Sequence, residues 1–190
     1  MRLKKYLITL SLFTLTFPVG CSTRLYEVGS IPKAQPSDAV SSTTPKGLGI
    51  SVSAIRDDDV AFEITGGNLP LAGVLAVDTR ITNQTSEQIK SSSLKFELRD
   101  ASGKKIKQID SKKALKRLMK LNEIENYLVE AYHNTREDFE ELALPRSFTL
   151  PPSGEVRGIL FFDAKKDASQ MSGLTLTVKG SGEPVTINLN

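Results

Sequence analysis

Hydrophobic residues recur at every second position over much of the chain, and that period commits the backbone to strands. Ile50, Val52 and Ala54 alternate with Ser51 and Ser53. Val60, Phe62 and Ile64 take up the pattern again after Asp57-Asp58-Asp59. Leu94, Phe96 and Leu98 alternate with Lys95, Glu97 and Arg99, and Leu174, Leu176, Val178 and Val185, Ile187, Leu189 repeat it near the C-terminus. Successive side chains of a strand point to opposite faces, so each run offers one apolar face to a core. Residues 74–77 lead into Thr79, Ile81 and Asn83, and residues 156–162 are almost continuously apolar. Gly66-Gly67-Asn68 with Pro70, Ser102-Gly103, Pro151-Pro152-Ser153-Gly154 and Gly180-Ser181-Gly182 interrupt the runs with turn residues. About eight or nine short strands at this spacing predict a mainly β fold built as a two-sheet sandwich.

One stretch departs from the alternation. Residues 111–144 contain no glycine and no proline. Ser111 is placed to cap a first helix, in which Ala114, Leu115, Leu118 and Met119 share a face. Asn122 is placed to cap a second, in which Ile124, Leu128, Ala131, Tyr132, Thr135, Phe139 and Leu142 recur at three and four. Pro145 stops it. The spacing predicts a helical hairpin, or one bent helix, inserted between two middle strands.

The N-terminus has a different character. Arg2, Lys4 and Lys5 precede an uncharged run over residues 6–17, shorter than the roughly 20 apolar residues of a membrane-spanning helix. A cationic start, a short apolar run and small residues near a cut site describe a secretory signal peptide, residues 1–20. Pro18-Val19-Gly20-Cys21 looks like the lipobox of bacterial lipoproteins, with Pro18 where that family usually carries leucine. The resemblance implies cleavage before Cys21, a diacylglycerol thioether on its sulfur and acylation of its freed amine. Cys21 is the single cysteine, so an intramolecular disulfide is excluded. Residues 21–47 are rich in proline, serine and threonine, with few apolar residues and no period. They read as a flexible tether, with Leu25-Tyr26 the part most able to dock. A coil of about 26 residues reaches about 25–30 Å. Residues 48–190 are then one domain, large enough to fold without a disulfide.

Removing the leader changes the charge. The chain carries 25 basic and 22 acidic residues; without Arg2, Lys4 and Lys5 the count becomes 22 against 22. A neutral mature chain gives no reason to expect a nucleic-acid partner.

The segments Ile81-Thr82-Asn83-Gln84-Thr85, then 94–100 with Gly103, then 150–158 with Phe161-Phe162, resemble the immunoglobulin-like domains of unknown function found in bacterial lipoproteins. The likeness spans about half of the mature chain and rests on turn and core positions. It implies an immunoglobulin-like β-sandwich carrying the helices of residues 111–144 as an addition, and it implies no catalytic residues.

The remaining polar constellations lead to no reaction. Glu130 and His133 have the E-x-x-H spacing of carboxylate-bridged metal bundles, with Glu137 one turn on, but no second histidine exists to complete such a site. Asp57, Asp58 and Asp59 lack the spacing of a calcium loop and read as an acidic turn. Asn83-Gln84-Thr85 matches a glycosylation sequon that a bacterial lipoprotein has no use for, and a strand-end turn accounts for Asn83. No G-x-S-x-G is present, and a lipidated Cys21 is no nucleophile. The chain is therefore expected to be no enzyme and to carry no metal or cofactor. Its most distinctive feature is a charge split: basic residues run over 104–120 and acidic ones over 123–141. Lys112, Lys113, Lys116, Arg117, Lys120 and Tyr132 are the candidate interaction surface, facing an acidic partner or lipid headgroups.

These features together lead to the expectation of a binding or assembly module of the bacterial cell envelope. It would be held to a membrane by its N-terminal lipid and would contact an envelope protein whose identity the sequence does not carry. In a cell with two membranes, Ser22 resembles the outer-membrane sorting pattern. The alternative expectation is a carrier of a small apolar ligand, held in a pocket between Leu118, Leu128, Tyr132 and the sheet.

Overall fold

A computed structural model describes residues 23–34, 36–91, 94–180 and 183–189; the leader and Cys21 lie outside the described residues. The chain is mainly β. In order it forms β1 (Val40–Thr43), β2 (Leu48–Ile55), α1 (Asp58–Thr65), β3 (Val74–Asn83), β4 (Ile89–Lys90), β5 (Lys95–Arg99) and β6 (Lys105–Ile109). Helices α2 (Ser111–Leu121) and α3 (Val129–Leu142) follow. Then come β7 (Thr149–Leu150), β8 (Glu155–Asp163), β9 (Leu174–Lys179) and β10 (Val185–Leu189). Eight strands make one antiparallel sheet in the order β1-β2-β3-β8-β6-β5-β9-β10, and β4 pairs with β7 beside it. The two outermost strands, β1 and β10, lie next to each other, so the sheet nearly closes.

The alternation of β3 and β8 divides the core in two. Leu75 and Val77 of β3, with Leu160 and Phe162 of β8, join β2, β5, β9 and β10 in the core inside the curved sheet. Their neighbours Val74, Ala76, Ile159 and Phe161 point to the other face and are covered by the helices. Both faces of these strands are thus buried, which is why the sequence there is almost continuously apolar. Leu115, Leu118 and Phe139 are fully buried in the helical layer. The Phe139 ring stacks on Phe161 with centroids 6.3 Å apart. The inserted helices are therefore half of the packing around the central strands.

Three local expectations are corrected. Residues 58–65 form a helix, where alternation suggested a strand and the aspartates a turn. Asp57 caps it, its Oδ1 accepting from Asp59 N at 2.9 Å and Val60 N at 3.0 Å. Asp58 and Asp59 then lie in the first turn, where negative charge is favoured by the helix dipole. Ala61, Ile64 and Thr65 are its buried stripe, whereas Val60 and Phe62 stay exposed. The cap of α2 is Asp110, not Ser111. Asn122 ends α2 and does not begin α3, which starts at Val129 with Leu128 exposed at its N-terminus.

The stretch expected to be a tether is docked over much of its described length. The Leu25 amide donates to Thr135 Oγ1 at 2.8 Å, and the Tyr26 hydroxyl accepts from Asn122 Nδ2 at 2.9 Å. Gly29 N donates to Ile64 O at 3.0 Å. Tyr26 is buried, and Leu25, Val28 and Ile31 pack beside it against the helical core. Gly66 makes room for this strap: at φ 69° it ends α1, and a Cβ there would lie 2.8 Å from the backbone of Glu27. Further on, β1 extends the sheet along β2. Leu25-Tyr26 is the pair singled out from the sequence as most able to dock; Val28 and Ile31 join it, and four irregularly spaced apolar side chains suffice to seat the strap.

Candidate functional site

Strand β6 meets β8 over only three pairs, Lys107 with Asp163, Gln108 with Phe162 and Ile109 with Phe161. After Ile109 the chain turns away into α2. Farther along β8, the partner is the chain leaving α3. Ala143 makes a parallel bridge to Ile159, and Leu144 N donates to Ile159 O at 3.0 Å. Gly158 permits this approach, because a Cβ there would sit 2.4 Å from Leu144 Cα. Between the end of β6 and the end of α3 a groove of about 970 Å³ stays open, floored by residues 159–161 of β8.

The rim of this groove is charged with both signs. Lys107, Lys112, Lys113 and Arg146 stand with Asp110, Glu140 and Glu141. Arg146 is 89% exposed and only loosely engaged, 3.9 Å from Asp110 Oδ2. Asp110 has its other oxygen on the amide of Lys113 at 2.8 Å, as the cap of α2. An open groove with a mixed-charge rim has room for an extended polypeptide whose side chains the rim can meet.

The candidate surface read from the sequence is divided. Lys112 and Lys113 line the groove. Lys113 and Arg117 are also engaged with the buried Asp163 carboxylate, at 3.6 Å and 2.8 Å. Lys116 and Lys120 are exposed along α2. Tyr132 lies elsewhere, on α3, its ring 5.4 Å from that of Tyr127. Leu118 and Leu128 do not meet to form a ligand pocket: Leu118 is fully buried, with Gly67 packed against it, and Leu128 is 64% exposed. The groove residues that sequence reasoning missed are Arg146, Glu140 and Glu141. The one signal for the enclosing contact was Gly158 inside an apolar strand.

A second cavity, about 500 Å³, lies between the strap, β3, β8 and α3. Most of its charges are already paired. Arg157 grips the buried Asp78 carboxylate through Nε, 2.9 Å from Oδ1, and through Nη2 on Oδ2. Its remaining donors reach the strap carbonyls of Pro32 and Lys33. The Asp78 hydrogen bond raises the Arg157 pKa above its ordinary value. Arg80 lies 3.4 Å from Glu155. This cavity is a charged seam that fastens the strap.

Among the described residues no group of three or more His, Cys, Asp and Glu side chains is placed to hold a metal ion. His133 is exposed and meets the edge of Tyr132, with centroids 5.9 Å apart. Asn83 is buried at the end of β3. Its amide donates to the carbonyls of Glu87, Leu150 and Pro151 and its oxygen accepts from Thr85, so it stitches two loops together.

No protein-family model and no curated protein matches this chain. Two solved structures are similar. One is the yjhA protein from Bacillus subtilis, 13% identical, covering 62% of this chain and 75% of its own, with a TM-score of 0.37. The other is a conserved hypothetical protein from Bacillus anthracis, 13% identical, covering 80% of this chain and 92% of its own, with a TM-score of 0.39.

Proposed function

We propose that this protein is a lipid-anchored, non-enzymatic binding module of the bacterial envelope, and that it takes an extended segment of another envelope protein in the groove between β6 and the end of α3. The observation that carries this reading is the shape of that groove: about 970 Å³, with β8 as its floor and charges of both signs on its rim. A segment lying there would be selected by Lys112, Arg146 and Glu140 at the rim. The anchor is Cys21, on the strength of its leader sequence. An immunoglobulin-like arrangement of the strands belongs to the same proposal. It is supported by the single core that β2, β3 and β8 share with β5, β9 and β10.

The test is site-specific photocrosslinking in the native cell, with a benzophenone amino acid at Gln108 in the groove or at Thr186, exposed on β10. The expected result is one adduct from Gln108 that is missing from Thr186 and lost with Arg146→Glu or Lys112→Glu. Identical adducts from both positions, or adducts indifferent to those substitutions, would contradict the proposal.

A further inference from the structure

We infer that the corner between α2 and α3, formed by Leu121, Tyr127, Leu128 and Val129, rests on the lipid bilayer beside the acyl chains of Cys21. This rests on the reading of Cys21 as lipidated and adds to it a membrane-facing surface.

The corner is unusual in its exposure. Among the described residues seven large apolar side chains are exposed, and four of them fall within these nine consecutive positions. Leu128 and Val129 are 64% and 68% exposed. Their side chains take no part in the core beneath them, which α3 seals with Ala131, Thr135, Phe139 and Leu142.

The strap fixes where an anchor must be. The Thr23 carbonyl accepts from Asn134 Nδ2 at 3.0 Å. Leu25 is held by Thr135, and Arg24 by Asp138. Cys21 stands two residues before Thr23, and two residues of chain reach no more than about 7 Å. From Asn134 to Val129 the helix rises about 7.5 Å. An acylated Cys21 is therefore within about 20 Å of the exposed corner. A folded unit of about 165 residues is roughly 40 Å across, so most of its surface is farther from the anchor than this corner is.

The chemistry of the corner fits a bilayer interface. Tyr127 and Tyr132 stand with rings 5.4 Å apart beside Leu128 and Val129, and tyrosines favour the headgroup level where one end is apolar and the other wet. Among the described residues no helix is long and apolar enough to span, so the contact is interfacial. Glu123, Glu125 and Glu130 border the corner with Lys120. That balance gives anionic lipid no advantage, and the apolar side chains supply the attraction.

The experiment uses the full-length protein purified from its own cells and reconstituted in phosphatidylcholine vesicles. Leu128→Cys and Phe62→Cys variants carry an environment-sensitive nitrobenzoxadiazole label, Cys21 being blocked by its lipid. Phe62 is also exposed, 59%, but on α1. The expected result is a blue shift and a several-fold gain in fluorescence for the Leu128 label alone, quenched by spin-labelled lipid. Added phosphatidylglycerol or salt leaves it unchanged. The mass of each preparation reports the state of Cys21. A lipidated protein whose Leu128 label reads as water, like the Phe62 label, would overturn the bilayer contact and leave the anchor standing. A preparation without the lipid mass would overturn the anchor and the contact together.

Discussion

Arg24 Nε lies 2.6 Å from Asp138 Oδ2, so a residue near the start of the described chain is clamped to a helix far along the sequence. Arg24 Nη2 adds a second contact to Asp138 Oδ1 at 3.3 Å. Asp138 raises the Arg24 pKa above its ordinary value through this hydrogen bond and its charge. An exposed pair of this kind adds little to stability by itself. Its importance lies in position, because it closes a strap that Tyr26 and Gly29 hold more firmly. A proline- and serine-rich leash would let the domain search about 25–30 Å from a membrane. Under the proposed anchoring at Cys21, a docked strap would hold it close.

Tyr26 is the main fastening. Burial pushes its phenol pKa up, against the smaller opposing effect of the Asn122 hydrogen bond. Tyr26→Ala removes a buried ring and its hydrogen bond with Asn122, at a cost of about 3 kcal/mol. Tyr26→Phe keeps the ring and costs about 1 kcal/mol. Urea unfolding of the two variants should resolve both values. A free tether would leave both at wild-type stability.

Gly158 holds the groove together from below. Gly158→Ala drives a methyl group into the Leu144 backbone, and relief requires the end of α3 to move off β8. The expected loss is about 2 kcal/mol, within the range for overpacking. It should be accompanied by faster hydrogen exchange at the Leu144 amide, which donates to Ile159 O. A stable variant with an unchanged Leu144 amide would contradict the close approach.

Glu97 makes the sheet sensitive to acid. It ties three strands together, accepting from Lys179 Nζ at 3.1 Å, from Lys105 Nζ at 3.3 Å and from Arg99 beside it. Those hydrogen bonds, Lys179 foremost, hold its pKa at about 2. The folded value lies below the unfolded one, so the stabilisation is complete above the ordinary carboxylate pKa. It is lost as pH falls from about 4.5 through about 2. Glu97→Gln should therefore be less stable than wild type at pH 6, with most of that gap gone by pH 2. Denaturant midpoints across that range provide the check, and a constant gap would contradict it.

How far the sequence led can be seen at α1, the strap and the central strands. Strands β5, β9 and β10 were legible because a period of two survives where one face meets a core, β3 and β8 because burial on both faces leaves an almost continuous apolar run, and the helices of residues 111–144 because their stripes repeat at three and four. Val60, Phe62 and Ile64 misled because eight residues are too few to separate a helix from a strand by periodicity. The decisive signal was the Asp57 cap. The strap was legible only at Leu25-Tyr26, and for a different reason. Leu25, Tyr26, Val28 and Ile31 have no common period, and their burial depends on a surface built from residues a hundred positions away. The groove shares that difficulty: Arg146 and Lys112 line one groove only because β6 leaves β8 after Ile109, a matter of sheet order that no local pattern encodes.

Hydrogen exchange at the Leu25 and Gly29 amides is the most direct measurement of the docked strap. Thr135 Oγ1 and Ile64 O are their acceptors, so both amides should exchange many-fold more slowly than an unstructured chain while the sheet is intact. Exchange of both at the unprotected rate, with the amides of β3 and β8 still protected, would show a loose leash and contradict the account.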